Sequence, residues 1–229
     1  VRQAENRGAF ANFQFVLDEA VGEYFIWAAA DDVWLPNFIQ HCRLLLDEDR
    51  SAEMATTAYK CVSRFSPIFN RTFPHVLDCI ENENQEARVI AYARQAFSTH
   101  KDNLVYALWR RVFLEDLVQE MERVFDGPFP VGAAMNEYAL LKARGRYYRE
   151  ILFHKRYRYI PPGHWVGPLL KPIVPIWRWL KGKPPAGKAS GYGGEQFLAD
   201  LSKLMDSSGA TKELVQKIVA ANQSHVRVR

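Results

Sequence analysis

The stretch Gly22-Glu23-Tyr24-Phe25-Ile26-Trp27-Ala28-Ala29-Ala30-Asp31-Asp32-Val33-Trp34-Leu35-Pro36 constrains the fold more than any other part of the chain. Tyr24 to Trp27 is an apolar, aromatic run of the kind that forms a short buried strand. Three alanines follow, too small to block approach to the backbone, and then two adjacent carboxylates. Pro36 marks the place where a new helix begins. In an open α/β sheet, ligands bind outside the carboxyl ends of the strands. Asp31 and Asp32 therefore stand where a hard cation could be held together with substrate phosphates. The same pair also suits the cap of the following helix, and the residues alone leave both readings open.

Around this stretch the pattern alternates between helices and strands. Phe10, Phe13, Leu17 and Ala20 share one face of a helix that Gly22 ends. Phe38, Ile39, Cys42, Leu45 and Leu46 predict an amphipathic helix from Pro36 to about Asp47, and Ala52 to Val62 reads as a strand. Pro67 and Pro74 make Ser63 to Pro74 a loop. Glu83 to Phe97 is helical in composition, Asn103 to Trp109 is a second apolar run, and Phe113, Leu114 and Leu117 belong to a helix after Arg110-Arg111. The Gly- and Pro-rich stretch from Asp126 to Gly132 is a loop; Met135 to Ala143 is a short helix ending at Gly145, and Tyr147 to Phe153 is a strand.

Apolar residues at 48% and charged ones at 24% of 229 residues allow a substantial core in one α/β domain with an appendage. The three cysteines, Cys42, Cys61 and Cys79, lie far apart without a C-x-x-C pair, which argues against a disulfide scaffold or a zinc site and for a reducing cytoplasm. There is no signal-peptide pattern, no apolar run of the roughly 18 residues that a membrane span needs, and no internal repeat.

Taken with Asn6-Arg7-Gly8 and Asn12 upstream, the pattern Gly-Glu-Tyr-Phe-x-Trp-x-x-x-Asp-Asp-Val-x-x-Pro resembles the GT-A family 2 glycosyltransferases, over roughly Arg2 to Arg158. Their pattern is an N-x-G…N helix, a GEY strand and an acidic "DXD" turn. A haloacid-dehalogenase phosphatase would want Asp-x-Asp-x-Thr or Val, which Asp31-Asp32-Val33-Trp34 does not supply. The resemblance implies a GT-A nucleotide-diphospho-sugar transferase fold, a Rossmann-like α/β sheet with helices on both faces. Because the chain opens on Val1 without the β/α units that come first in the family, the expectation is a GT-A domain truncated at its N-terminus. The expected division is a partial GT-A domain over 1–160, a basic Trp/Pro-rich segment and linker over 161–194, and a C-terminal helical hairpin over 195–229.

The implied activity is metal-dependent, inverting transfer of a hexosyl group from a nucleotide-diphospho-sugar donor to a hydroxyl of a glycan or lipid-linked acceptor, in cell-envelope or surface polysaccharide synthesis. Mn²⁺ or Mg²⁺ would sit on Asp32, with Asp31 on the ribose or beside the metal and His154 reaching the metal or the diphosphate. Asn6, Gly8, Asn12, Ala30 and Asp31 would surround the nucleotide-sugar. Glu137, in the Asn136-Glu137 pair, stands where the family has its catalytic base, usually an aspartate. Tyr106, Trp109 and Arg110 would line the acceptor. Read without the family, Glu137 is a helix-start acid favoured by the macrodipole, Trp109 suits the core, Arg110-Arg111 opens a solvated helix, and His154 belongs to a basic strand exit. The other class of reading is a non-catalytic GT-A remnant that binds a partner or a membrane.

From Ile151 through Gly194 there is no acidic residue, while Lys171, Arg178, Lys181 and Lys183 interleave with Trp165, Trp177 and Trp179. Pro168, Pro172 and Pro175 rule out one ideal helix. Cations and aromatics in that arrangement predict peripheral contact with the inner face of a membrane through 165–183, or a cover over the main domain. No stacking motif supports nucleic-acid binding. Glu195 to Asn222 reads as two amphipathic helices around Ser207-Ser208-Gly209.

Overall fold

A strand rich in alanine, threonine and apolar residues, Ala52–Ser63, is buried along almost its whole length, as a strand covered on both faces must be. The rest of the molecule is assembled around it. The computed structural model describes residue 5 and residues 8–64, 66–125, 132–157 and 194–226. In chain order its elements are α1 (Gly8–Asp18), β1 (Tyr24–Phe25), β2 (Val33–Trp34), α2 (Phe38–Glu48), β3 (Ala52–Ser63), β4 (Arg71–Phe73), α3 (Gln85–Ala93), β5 (Leu108–Arg110), α4 (Arg111–Phe125), α5 (Ala133–Lys142), β6 (Arg144–Tyr157), α6 (Gly194–Ser207) and α7 (Lys212–Val226). One six-stranded mixed sheet runs in the order β1-β5-β3-β6-β2, with β4 also paired to β3. The expected α/β class is therefore the observed one.

The central pair, β3 and β6, is parallel and stays paired to the last residues, Ser63 opposite Tyr157. Midway the pairing jumps from Thr57↔Tyr148 to Ala58↔Ile151, so Arg149 and Glu150 bulge outward into solvent. The join between α5 and β6 depends on a missing side chain. A Cβ on Gly145 would lie 2.7 Å from Ile80 Cδ1 and 2.9 Å from Met54 Cγ. Gly145→Ala is expected to destabilise the fold by about 1–3 kcal/mol through overpacking, read as a lower denaturation midpoint with an unchanged slope.

Several elements depart from the sequence pattern for identifiable reasons. β1 ends at Phe25, opposite Trp109 of β5; Trp27 instead turns to α1, donating its indole N–H to the Phe13 carbonyl at 3.0 Å. The residues after the carboxylates form β2 against Phe153 and His154, so the helix opens at Phe38 rather than Pro36. The apolar run from Asn103 is not a strand at its start. Lys101–Tyr106 is a 3-10 helix, its Lys101 ammonium donating to the Tyr92 and Ala93 carbonyls at the end of α3. The 63–74 loop contains a 3-10 turn, Pro67–Phe69, and the strand β4. β6 extends beyond 147–153 at both ends.

α6 and α7 pack against each other and close over α3, α4 and α5. Phe197, Leu201, Leu204 and Met205 of α6 and Val215 and Ile218 of α7 join the main hydrophobic core. The stretch 161–193, with its expected interfacial segment, lies outside the described residues.

Candidate functional site

The parallel strands β3 and β6 end side by side, and Asp32 arrives beside β6 on the turn before β2. Strand alternation then decides which side chains meet. Trp34 lies opposite Phe153, so Asp32, two residues earlier, falls on the face that Phe153, Lys155 and Tyr157 share. The Asp32 carboxylate, whose side chain is fully buried, accepts from Lys155 Nζ at 2.7 Å on Oδ2 and from the Arg156 backbone N–H at 2.9 Å on Oδ1. The Lys155 ammonium also lies 3.2 Å from the Tyr106 hydroxyl and 4.3 Å from the centre of its ring. Burial alone would lower the pKa of Lys155. The hydrogen bond and charge of Asp32 outweigh it and hold the ammonium above the ordinary lysine value.

An aromatic wall backs this pair. Trp34 stacks on Phe153 at 5.0 Å, and Tyr106 meets Trp34 edge-on at 6.4 Å. The indole N–H of Trp34 is buried without a hydrogen-bond partner. Further along β6, the Tyr157 hydroxyl meets His100 Nδ1 at 2.9 Å; His100 is buried and takes the left-handed conformation at φ 58°. Cys61, on the same end of β3, is a free thiol that burial pushes up to about 12, so it is no nucleophile at neutral pH.

The structure thus brings together Asp32 and Tyr106 from the expected set. Asp31 and Ala30 are exposed on the turn, Asn12 is exposed on α1, and Gly8 opens α1. Asn6 lies outside the described residues. His154 is in register with Val33 and Lys60 and, one residue from Lys155, faces away from Asp32. Burial and the Lys60 charge push its imidazole below the ordinary histidine value.

The remaining expected residues sit elsewhere. Trp109 is fully buried, with its indole N–H on the Val105 carbonyl at 3.2 Å and its ring stacked on Phe113. Arg110 donates to the carbonyls of Ala52 at 3.0 Å and Leu46 at 2.6 Å, tying β5 to β3 and α2. Glu137 has no exposure at all. Its Oε1 lies 3.4 Å from Lys101 Nζ, and its Oε2 accepts from Asn222 Nδ2 of α7 at 2.8 Å. Burial pushes the Glu137 carboxyl up and the Lys101 ammonium down.

As placed, Asp32 offers no free oxygen to a divalent cation: Mg²⁺ or Mn²⁺ is commonly held by one or two carboxylates together with substrate phosphates and water, and both Asp32 oxygens are engaged by donors. Among the described residues, no group of three or more His, Cys, Asp or Glu side chains could hold a metal ion. The residue that sequence reading missed is Lys155. Alternation along β6 puts it on the opposite face from His154, and the register with β2 decides that Lys155 is the one that meets Asp32.

Residues 1–106 match the family model described as Glycosyl transferase family 2. No curated protein matches the chain. No helix among the described residues is long and apolar enough to cross a membrane.

Proposed function

We propose, from the premise that residues 1–106 form part of a family 2 glycosyltransferase domain with a GT-A-like α/β fold, that this chain moves a hexosyl group from a nucleotide-diphospho-sugar to a hydroxyl of a glycan or lipid-linked acceptor, with inversion. The observation that carries this reading is the Asp32–Lys155–Tyr106 cluster at the carboxyl ends of the only parallel strand pair among the described residues. That is where an α/β sheet binds its ligand. In the transfer, the acceptor oxygen bonds to the anomeric carbon as the bond from that carbon to the diphosphate oxygen breaks. The electron pair leaves on the diphosphate and the hydroxyl proton passes to solvent. Charge developing on the diphosphate calls for a fixed positive group beside it.

Three of the expected site residues do structural work in this reading. A general base must lie within hydrogen-bond reach of the proton it takes, and the oxygens of Glu137 face Lys101 and Asn222 inside the core. Trp109 fills the core and Arg110 ties strands together. A role in cell-envelope or surface polysaccharide synthesis, at the inner face of a membrane, is supported by the basic, Trp-rich composition of 165–183.

The test is saturation-transfer NMR of the full chain with UDP- and GDP-hexoses. The expected result is saturation of base, ribose and sugar protons by one donor class, competed by the matching nucleoside diphosphate and not by AMP. Release of that diphosphate when a glycan acceptor is added would complete the case. The absence of any saturation by either donor class would sink the reading.

A further inference from the structure

We infer that the ammonium of Lys155 is the resident cation of this site, doing at Asp32 what a divalent ion would otherwise do: it neutralises the carboxylate and meets the donor's diphosphate. The inference rests on the glycosyltransferase reading and concerns how that site handles charge.

Asp32 is a buried carboxylate, and such a group is stable as an anion only when it is paired and hydrogen-bonded. Lys155 and the Arg156 amide meet that need completely, one on each oxygen, at 2.7 and 2.9 Å. An incoming cation would have to displace the ammonium from its buried partner. Among the described residues, no second ligand stands beside Asp32 to help hold it: Asp31 is exposed on the turn and His154 faces away.

Lys155 is also placed to bind a ligand. Its side chain keeps 17% exposure while Asp32 has none, so Lys155 is the member of the pair that solvent reaches. A lysine ammonium has three donors; here one meets Asp32 and one the Tyr106 hydroxyl, which leaves a third for a phosphate oxygen. Lysine is a regular phosphate ligand as a point charge. The aromatic wall beside it carries the unpartnered Trp34 indole N–H, a second buried donor whose missing acceptor a ligand oxygen could supply.

The experiment is calorimetric titration of the full chain with UDP and GDP, once in EDTA and once with Mn²⁺, alongside an EPR titration with Mn²⁺ alone. The expected result is nucleoside-diphosphate binding that is the same within about twofold in EDTA and Mn²⁺, with no one-to-one Mn²⁺ site. Lys155→Met should weaken that binding at least tenfold and Lys155→Arg much less. Because Lys155→Met strands a buried aspartate, the Asp32→Asn/Lys155→Met double variant keeps the test open if the single variant fails to fold. It should lose the affinity as the single variant does. Binding that appears only with Mn²⁺, or binding in EDTA indifferent to Lys155→Met, overturns the inference and leaves the glycosyltransferase reading standing. Binding of neither nucleotide under any condition overturns both.

Discussion

Glu137→Leu is expected to lower the unfolding free energy by about 3–5 kcal/mol, because it leaves the Lys101 ammonium buried with no carboxylate. The pair has no exposure on either side, so water cannot replace the lost partner. Lys101 also lies over the rings of Tyr92 and Phe97, each at 4.9 Å, and holds two carbonyls at the end of α3. The double variant Lys101→Met/Glu137→Leu removes both charges and should recover part of the loss. About 1–3 kcal/mol should remain for the carbonyls left without a donor. Urea denaturation of the wild type, the single variants Glu137→Leu and Lys101→Met, and the double variant gives the coupling directly. Glu137→Gln separates the roles further. A base predicts normal stability and no transfer, whereas the buried geometry predicts lower stability and transfer that survives in the folded fraction. Full stability with abolished transfer would restore Glu137 as the base.

Deleting 194–229 should abolish cooperative folding of the remainder. Among the described residues, the deletion removes six buried apolar side chains: Phe197, Leu201, Leu204, Met205, Val215 and Ile218. At about 1.5–3 kcal/mol each, even half of that burial is on the scale of the 5–15 kcal/mol that holds a typical domain together. It also removes Asn222 from Glu137, the Phe197 ring from Phe97, and the Lys217–Glu86 ion pair at 2.7 Å. An appendage that merely hangs from the domain would come off without effect. A sharp, single melting transition retained by the truncated chain would show that the hairpin is dispensable. Near-ultraviolet circular dichroism, which reports fixed aromatic packing, reads the outcome.

Much of the fold could be read along the chain because its signals are local. Local patterns found β3, α2 and α5 close to their observed limits, and the Gly22–Pro36 stretch identified the acidic turn. The errors came where a local pattern is ambiguous. Asn103 to Trp109 is apolar whether it forms a strand or a tight helical turn; a buried lysine at Lys101, which no pattern announces, chose the turn.

The candidate site divides the same way. The sequence by itself determined that Asp32 ends a strand-like run at the mouth of an α/β sheet, and that the exit of β6 is basic. Only the tertiary structure decided that Lys155 faces Asp32, since that depends on which residue of β6 lies opposite Trp34. One step of register turns every side chain of a strand to the other face. Only the tertiary structure, too, set Glu137 against Lys101 and Asn222, residues 36 and 85 positions away in the chain. Hydrogen bonds across such separations are made by packing, and the energy that fixes them is the cost of burying a charge without a partner.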